Sequence, residues 1–287
     1  MIKLYAALLN KKLVLAIEEA NLVINRQKRL NTDDYRCPRC HKKVILVISQ
    51  TKSAFFKHWL NYQNNQGEKE EHHSSKMLLK SAFTALGFPA QTEIPLANGQ
   101  LRADVLVSPK LALEVQCAPL SYEEFQSRHY LYRKINILDL WIVGKRHYLQ
   151  KKIRKAQLIF LRKNKIWGNY YLEVDPYRKI LRLKFNILRA ALTNEIVFQT
   201  AIFTLDEIGI KKLLKFRPIK KQFHLNTHKQ KQFLWRQIHE KTKFGKQIAE
   251  KLYQLHLTVN DLPEEVFSSW REPHEIDQIS KFLKEKS

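Results

Sequence analysis

The chain has 287 residues, enough for about two domains at roughly 150 residues each. Its 51 Lys and Arg against 27 Asp and Glu leave a net charge of +24, which favours a polyanionic partner; an apolar share of 44% excludes disorder throughout. Three cysteines are too few for a disulfide framework, no signal-peptide layout is present, and no run approaches the ~20 apolar residues of a membrane span, so a soluble cytoplasmic protein is expected.

In chain order, Leu13 to Ile17 and Val44 to Ile48 read as short strands. The polar run Asn61 to Gly67 reads as a linker. A helix is predicted over Glu70 to Leu86, with Leu79, Phe83 and Leu86 at helical spacing and Gly87 and Pro89 stopping it. Three strands follow, Gln91 to Leu96, Leu101 to Val107 and Leu111 to Cys117, the first two joined by the hairpin turn Asn98-Gly99. Tyr122 to Ile135 is helical and Leu138 to Val143 is a further strand, giving the order αβββαβ. Lys145 to Lys165 looks like a basic helix, Tyr170 to Phe185 has room for two strands around Asp175-Pro176-Tyr177, and the pattern from Asp206 onward is mainly helical.

The charge changes abruptly at Gly144. Met1 to Gly144 carries 20 basic and 13 acidic residues, whereas Lys145 to His256 carries 27 basic and only 7 acidic ones. These shifts suggest an N-terminal module with a CxxC pair over 1–66, an α/β domain over 67–144, and a basic, mainly helical C-terminal region over 145–287. In that last region Lys151, Lys152, Arg154 and Lys155 are candidate phosphate contacts. The interleaved aromatics, Phe160, Trp167, Tyr170 and Tyr171 among them, suit stacking on unpaired bases, so single-stranded DNA is the expected form. A membrane-surface role fits poorly, because the basic segment has no long apolar stripe.

The most informative residues are Asp104, Glu114 and Gln116. Side chains alternate along a strand, so Leu101, Ala103, Val105 and Val107 are expected on one face and Asp104 on the other. Leu111, Leu113, Val115 and Cys117 likewise leave Glu114 and Gln116 on the opposite face of their strand. Paired as a hairpin, the two acids meet. They then either hold a hard divalent cation, Mg²⁺ or Mn²⁺, for phosphodiester hydrolysis, or simply line a solvated sheet face.

Glu71-His72-xxx-Lys76 on the preceding helix, Arg102-Ala103-Asp104-Val105, Glu114-Val115-Gln116 and Arg128-xxx-Tyr132 on the following helix form an ordered set. In this set the chain resembles the competence protein CoiA family and, more distantly, the PD-(D/E)xK restriction-endonuclease-like nucleases. The resemblance implies an α/β, restriction-endonuclease-like core that handles internalised DNA in natural transformation and recombination. DNA, and recombination or competence proteins, are the implied partners. Asp104 and Glu114 would carry the metal, His72 and Lys76 would supply charge, and Arg128 with Tyr132 would face the phosphate. Gln116 stands where the superfamily has lysine, which leaves a non-catalytic DNA-binding accessory role as the alternative. The pair Cys37 and Cys40 suits half of a zinc site, with His58 as a further ligand and His41, His72 and His73 as others within the sequence; the family's His-Phe-x-His pattern reads Phe55-Phe56-Lys57-His58 here.

Overall fold

The computed structural model describes residues 4–30, 32–38, 41, 43–49, 53–58 and 62–286; of residues 58 and 62–69 only the backbone is considered. The chain separates into two units, Met1–Gly67 and Glu68–Ser287. In the first, β1 (Ala6–Leu9) and β2 (Lys12–Leu15) form a hairpin, α1 (Ala16–Ile24) follows, and β3 (Val44–Val47) pairs antiparallel with β4 (Phe55–His58). Ala7, Ala16, Tyr35, Cys37, Val44, Leu46 and Phe56 make its small core. The buried Glu19 accepts from the hydroxyl of Tyr35 and pairs with Lys28.

Helix α2 runs over Tyr62–Ala85, so the polar stretch expected as a linker is helical from Tyr62. Its end is set by Gly87 at φ +86°, with the N–H of Phe88 donating to Phe83 O and that of Gly87 to Thr84 O. This is the left-handed cap that glycine adopts without steric cost. Then come β5 (Gln91–Leu96), β6 (Leu101–Ser108), β7 (Leu111–Gln116), α3 (Tyr122–Lys134) and β8 (Leu138–Val143), the αβββαβ order. The β5–β6 turn places Ala97, Asn98 and Gly99 successively at positive φ, a path that Asn-Gly tolerates. Ser121 caps α3 by accepting from the N–H of Glu124 at 3.1 Å.

Strand β6 does not keep one apolar face. Leu101 and Ala103 pack with Ala112, Tyr132 and Ile137, whereas Val105 and Val107 pack with Leu79 and Phe83 of α2. The change occurs at Asp104, opposite Glu93 of β5, whose φ is +60°. Side-chain period two holds only while the strand keeps its pleat, and here it is broken at the acid itself.

Gly144 marks a change of composition and not an end of the sheet. After a short turn and α4 (Lys155–Leu158), β9 (Arg162–Asn164), β10 (Gly168–Asp175), β11 (Ile180–Arg189) and β12 (Ile196–Thr204) continue it in the order β12-β11-β10-β8-β7-β6-β5, with β9 paired to β10. Strands β7, β8 and β10 run parallel to one another. The region 145–165 is therefore no long helix. Its apolar residues Leu149, Ile153, Phe160 and Leu161 pack on the sheet beside Trp141 and Tyr171, and its backbone is tied down by side chains: Leu149 N–H donates to Glu173 (2.7 Å), and Gln157 and Tyr171 donate to the carbonyl of His147. Tertiary bonds have replaced helical ones. Helices do dominate from Glu207 onward: α5 (Glu207–Lys215), α6 (Thr227–His239), α7 (Lys243–Gln254), α8 (Glu265–Ser268) and α9 (Gln278–Lys286). The last four share a core of Leu234, Ile248, Leu252, Phe267, Ile279 and Leu283. Among the described residues no helix is long and apolar enough to cross a membrane.

Because β10 covers the edge of β8, a chain ending at Gly144 loses the neighbours of Ile142 and Val143 and exposes half of the main core. Such a chain is expected to show no cooperative thermal transition by circular dichroism. A sharp transition like that of the full protein would refute the continuity of the sheet.

Candidate active site

The ladder between β6 and β7 runs through Val105↔Leu113. Further along β7, the backbone N–H of Val115 is taken by a side chain, donating to Asp104 Oδ2 at 2.9 Å. Asp104 thus stands in the opening between the two strands. His72 Nε2 lies 3.2 Å from the same oxygen, and Lys76 Nζ lies 3.7 Å from Oδ1. His72 and Lys76 are one turn apart on α2, which is why both reach one carboxylate.

Glu114, on the face turned toward α3, is completely buried. Its Oε1 accepts from the hydroxyl of Tyr132 and its Oε2 from the guanidinium of Arg128, two α3 residues spaced one turn apart. That guanidinium also lies over the ring of Trp141, 5.1 Å from its centre. Asp104 accepts from the N–H of the residue next to Glu114, and the two carboxyls are near enough for the charge of one to act on the other. They lie at the strand opening, one attended by α2 and the other by α3, and not on a solvated sheet face.

The environments push the two acids apart. Burial works to raise both. For Asp104 it is outweighed by the hydrogen bond and charge of His72, the Val115 N–H and the charge of Lys76, so this carboxyl is held below its ordinary range. For Glu114 burial prevails, the charge of Arg128 opposes it and that of Asp104 adds to it, and the carboxyl is pushed up to about 8. Burial and Glu114 likewise raise the Tyr132 phenol. Neighbouring carboxyls of opposite tendency are what acid–base and metal sites are built from.

Several expected residues take different positions. Tyr132 is fully buried on Glu114, so it orients that acid and does not face a phosphate. Arg128 pairs with Glu114, and its side chain stays 25% exposed. Lys76 is buried and also pairs with Glu93, which in turn binds Arg102. Gln116 donates its amide to the carbonyl of Ala118 at 2.6 Å, and His147 Nε2 lies 2.9 Å from that same carbonyl. Lys151, Lys152, Arg154 and Lys155 are all exposed. Of the expected zinc ligands, Cys37 is buried in the N-terminal core and its carbonyl accepts from the N–H of His41, while Cys40 and the His58 side chain lie outside the described residues.

One participant was not anticipated. Glu93 was legible in principle: counting back from the Asn98-Gly99 turn places it opposite Asp104. Glu71, part of the α2 motif, had no role assigned from the sequence. Its buried carboxylate accepts from the backbone N–H of Lys145 at 2.8 Å, tying α2 to the end of β8 across a gap that only the fold closes. Gly144 is the contact point, since a Cβ there would stand 2.6 Å from Cys117 Sγ and 2.8 Å from Glu71 Oε1.

Among the described residues no group of three or more His, Cys, Asp and Glu side chains is arranged to cage a metal ion. Asp104 and Glu114 offer two carboxyls, and a cation that keeps most of its water, as Mg²⁺ does, takes only one or two from a protein.

An αβββαβ unit with paired acids on its second and third strands defines a nuclease-like domain of the restriction-endonuclease type. The family model described as competence protein CoiA, nuclease-like domain, matches residues 68–218, just over half of the chain, and the chain belongs to the CoiA competence family. The match reaches beyond Gly144 and takes in β9 to β12 and α5. No curated protein and no solved structure matches the chain.

Gly144→Ala should destabilise the protein by about 1–3 kcal/mol, as overpacking does, and displace Glu71 from Lys145. Denaturant unfolding measures it; a variant as stable as the parent would mean the close approach is not there. Tyr132→Phe should cost about 1–3 kcal/mol by leaving a buried carboxyl oxygen without its donor, and a neutral effect would show the Glu114 bond to be unimportant.

Proposed function

We propose that this protein is a cytoplasmic, divalent-metal-dependent deoxyribonuclease that acts on internalised DNA during transformation and recombination. The placement of Asp104 in the β6–β7 opening, bonded to the backbone N–H next to Glu114, carries this reading. The Asp104 and Glu114 side chains would hold Mg²⁺ or Mn²⁺. The bound cation supplies an activated water and neutralises charge on the phosphodiester. His72 and the Val115 N–H keep Asp104 ionised and aimed. Arg128, a quarter exposed beside Glu114, brings a guanidinium fork to the phosphate. The charge of Lys76, 3.7 Å from Asp104, takes the place of the absent superfamily lysine. The high positive charge of residues 145–256 supports DNA as the substrate.

The accessory reading, DNA binding without cleavage, is favoured by one observation: the Gln116 amide is committed to Ala118 O and not turned toward the acids. A zinc ion held by Cys37, Cys40 and His58 in the N-terminal unit is a separate proposal. It requires about one zinc per chain by elemental analysis, lost when Cys37→Ser and Cys40→Ser are combined.

The decisive assay is cleavage of labelled single- and double-stranded DNA across several divalent metals. Asp104→Ala and Glu114→Ala should each abolish cleavage while DNA affinity changes less than about twofold, because phosphate contacts elsewhere dominate binding. Gln116→Lys should preserve or raise the rate by restoring positive charge. A parent inert with every metal, together with Asp104→Ala that still supports transformation in cells, would establish the accessory role instead.

A further inference from the structure

Cross-strand partners run in a continuous row from the candidate active site toward the far edge of the sheet: Gln116↔Val143, Val143↔Glu173 and Glu173↔Arg182. Directly paired residues project to the same face, so Arg182 shares the face that carries Glu114 and Gln116. Three strand spacings separate β7 from β11, about 14 Å at ~4.8 Å each.

At that position the face is hollow. A pocket of about 360 Å³ is lined by Tyr148, Lys151, Glu173, Arg182, Lys184 and Phe198, among others. Its floor is a buried ion pair, Lys184 with Glu173 at 2.9 Å, both side chains more than nine-tenths buried. Lys184 also donates to Leu149 O and lies over the Phe198 ring, and Glu173 accepts from Leu149 N–H. These bonds hold the wall rigid before anything binds. Arg182 lies over the Tyr148 ring and donates from Nη2 to Asp175 at 2.8 Å, yet its Nη1 is buried with no hydrogen-bond partner. A buried guanidinium N–H left unmatched is costly and calls for an acceptor. Lys151 stands exposed at the rim, and the lining cations outnumber its one anion.

We propose that this pocket is a second phosphate-binding subsite, which holds a backbone phosphate of the same DNA strand whose scissile phosphate lies at Asp104 and Glu114. A phosphate oxygen supplies the acceptor that Arg182 Nη1 lacks once the guanidinium, its side chain 16% exposed, shifts off the Tyr148 ring toward the pocket, and Lys151 closes over it from the rim. The separation of about 14 Å corresponds to about four nucleotides at the B-form rise of 3.4 Å per strand, and to fewer in an extended strand. The subsite would fix the register of the strand without reading sequence. The assignment rests on the reading of Asp104 and Glu114 as the place of cleavage.

The test is DNA binding by the full chain with EDTA present, so that no cleavage is needed. Fluorescence anisotropy with a labelled single-stranded oligonucleotide is measured across a salt series for the parent, for Lys151→Ala combined with Arg182→Lys, and for Lys281→Ala as a charge control on α9. Lysine at 182 keeps the charge and the pairing with Asp175 but loses the fork, and thermal melting checks that the variant is folded. The expected result is about tenfold weaker binding with a salt slope shallower by about one, and little change in the control. Such a loss supports the subsite even if the parent never cleaves DNA, in which case only the nuclease reading falls. Unchanged affinity and slope, or an equal loss in Lys281→Ala, overturns the subsite whether or not the parent cleaves. Calorimetry with inorganic phosphate separates the remaining source: phosphate binding that vanishes in the double variant while DNA binding stays intact would mark a free-anion site and overturn the strand assignment.

Discussion

The buried carboxyl of Glu114 is the constraint around which the nuclease-like domain is arranged. A fully buried acid is costly unless every oxygen has a partner, and both of its oxygens are met from one helix, by Arg128 and Tyr132. Those bonds fix the rotation of α3 against β7 and β8. Trp141, directly across from Glu114 on β8, lies beneath the same guanidinium, and Phe125 packs against it in turn. The acid therefore orients a helix, and that helix closes one face of the sheet.

Asp104 organises the other side in a complementary way. It accepts a backbone N–H where the β6–β7 ladder has ended, so its side chain is part of the sheet's hydrogen bonding as well as of the site. His72 and Lys76 draw α2 toward it, and Glu71, adjacent on that helix, fastens α2 to Lys145. Positioning and stability share the same bonds, so the domain has little freedom to alter one without the other.

Much of the αβββαβ unit was legible in the sequence because its signals are local. Gly87 after Leu86 and Asn98-Gly99 between two apolar runs each specify a turn or a cap by their own chemistry. Period two put Asp104 and Glu114 on one sheet face, whereas Asp104 is attended by α2 and Glu114 by α3. The same rule misplaced Leu101 and Ala103 relative to Val105, since the face change at Asp104 depends on Glu93 across the strand pair. The greatest departure is 145–165. Its basic look favours a helix locally, whereas the observed chain is held by Glu173 and Tyr171, residues later in sequence. Long-range partners of this kind leave no mark in a short window.

The placement of charge has a consequence for folding. Residues 145–256 carry 27 basic and 7 acidic groups, and part of that stretch supplies four strands to the central sheet. Like charges gathered in a compact body repel one another and weaken it. A polyanion that relieves the repulsion binds the folded chain at sites the unfolded chain does not assemble, and so stabilises it by mass action. Under the DNA-binding role proposed above, the nucleic acid would serve as a counterion scaffold, and the protein's melting temperature would report how much of that scaffold is present.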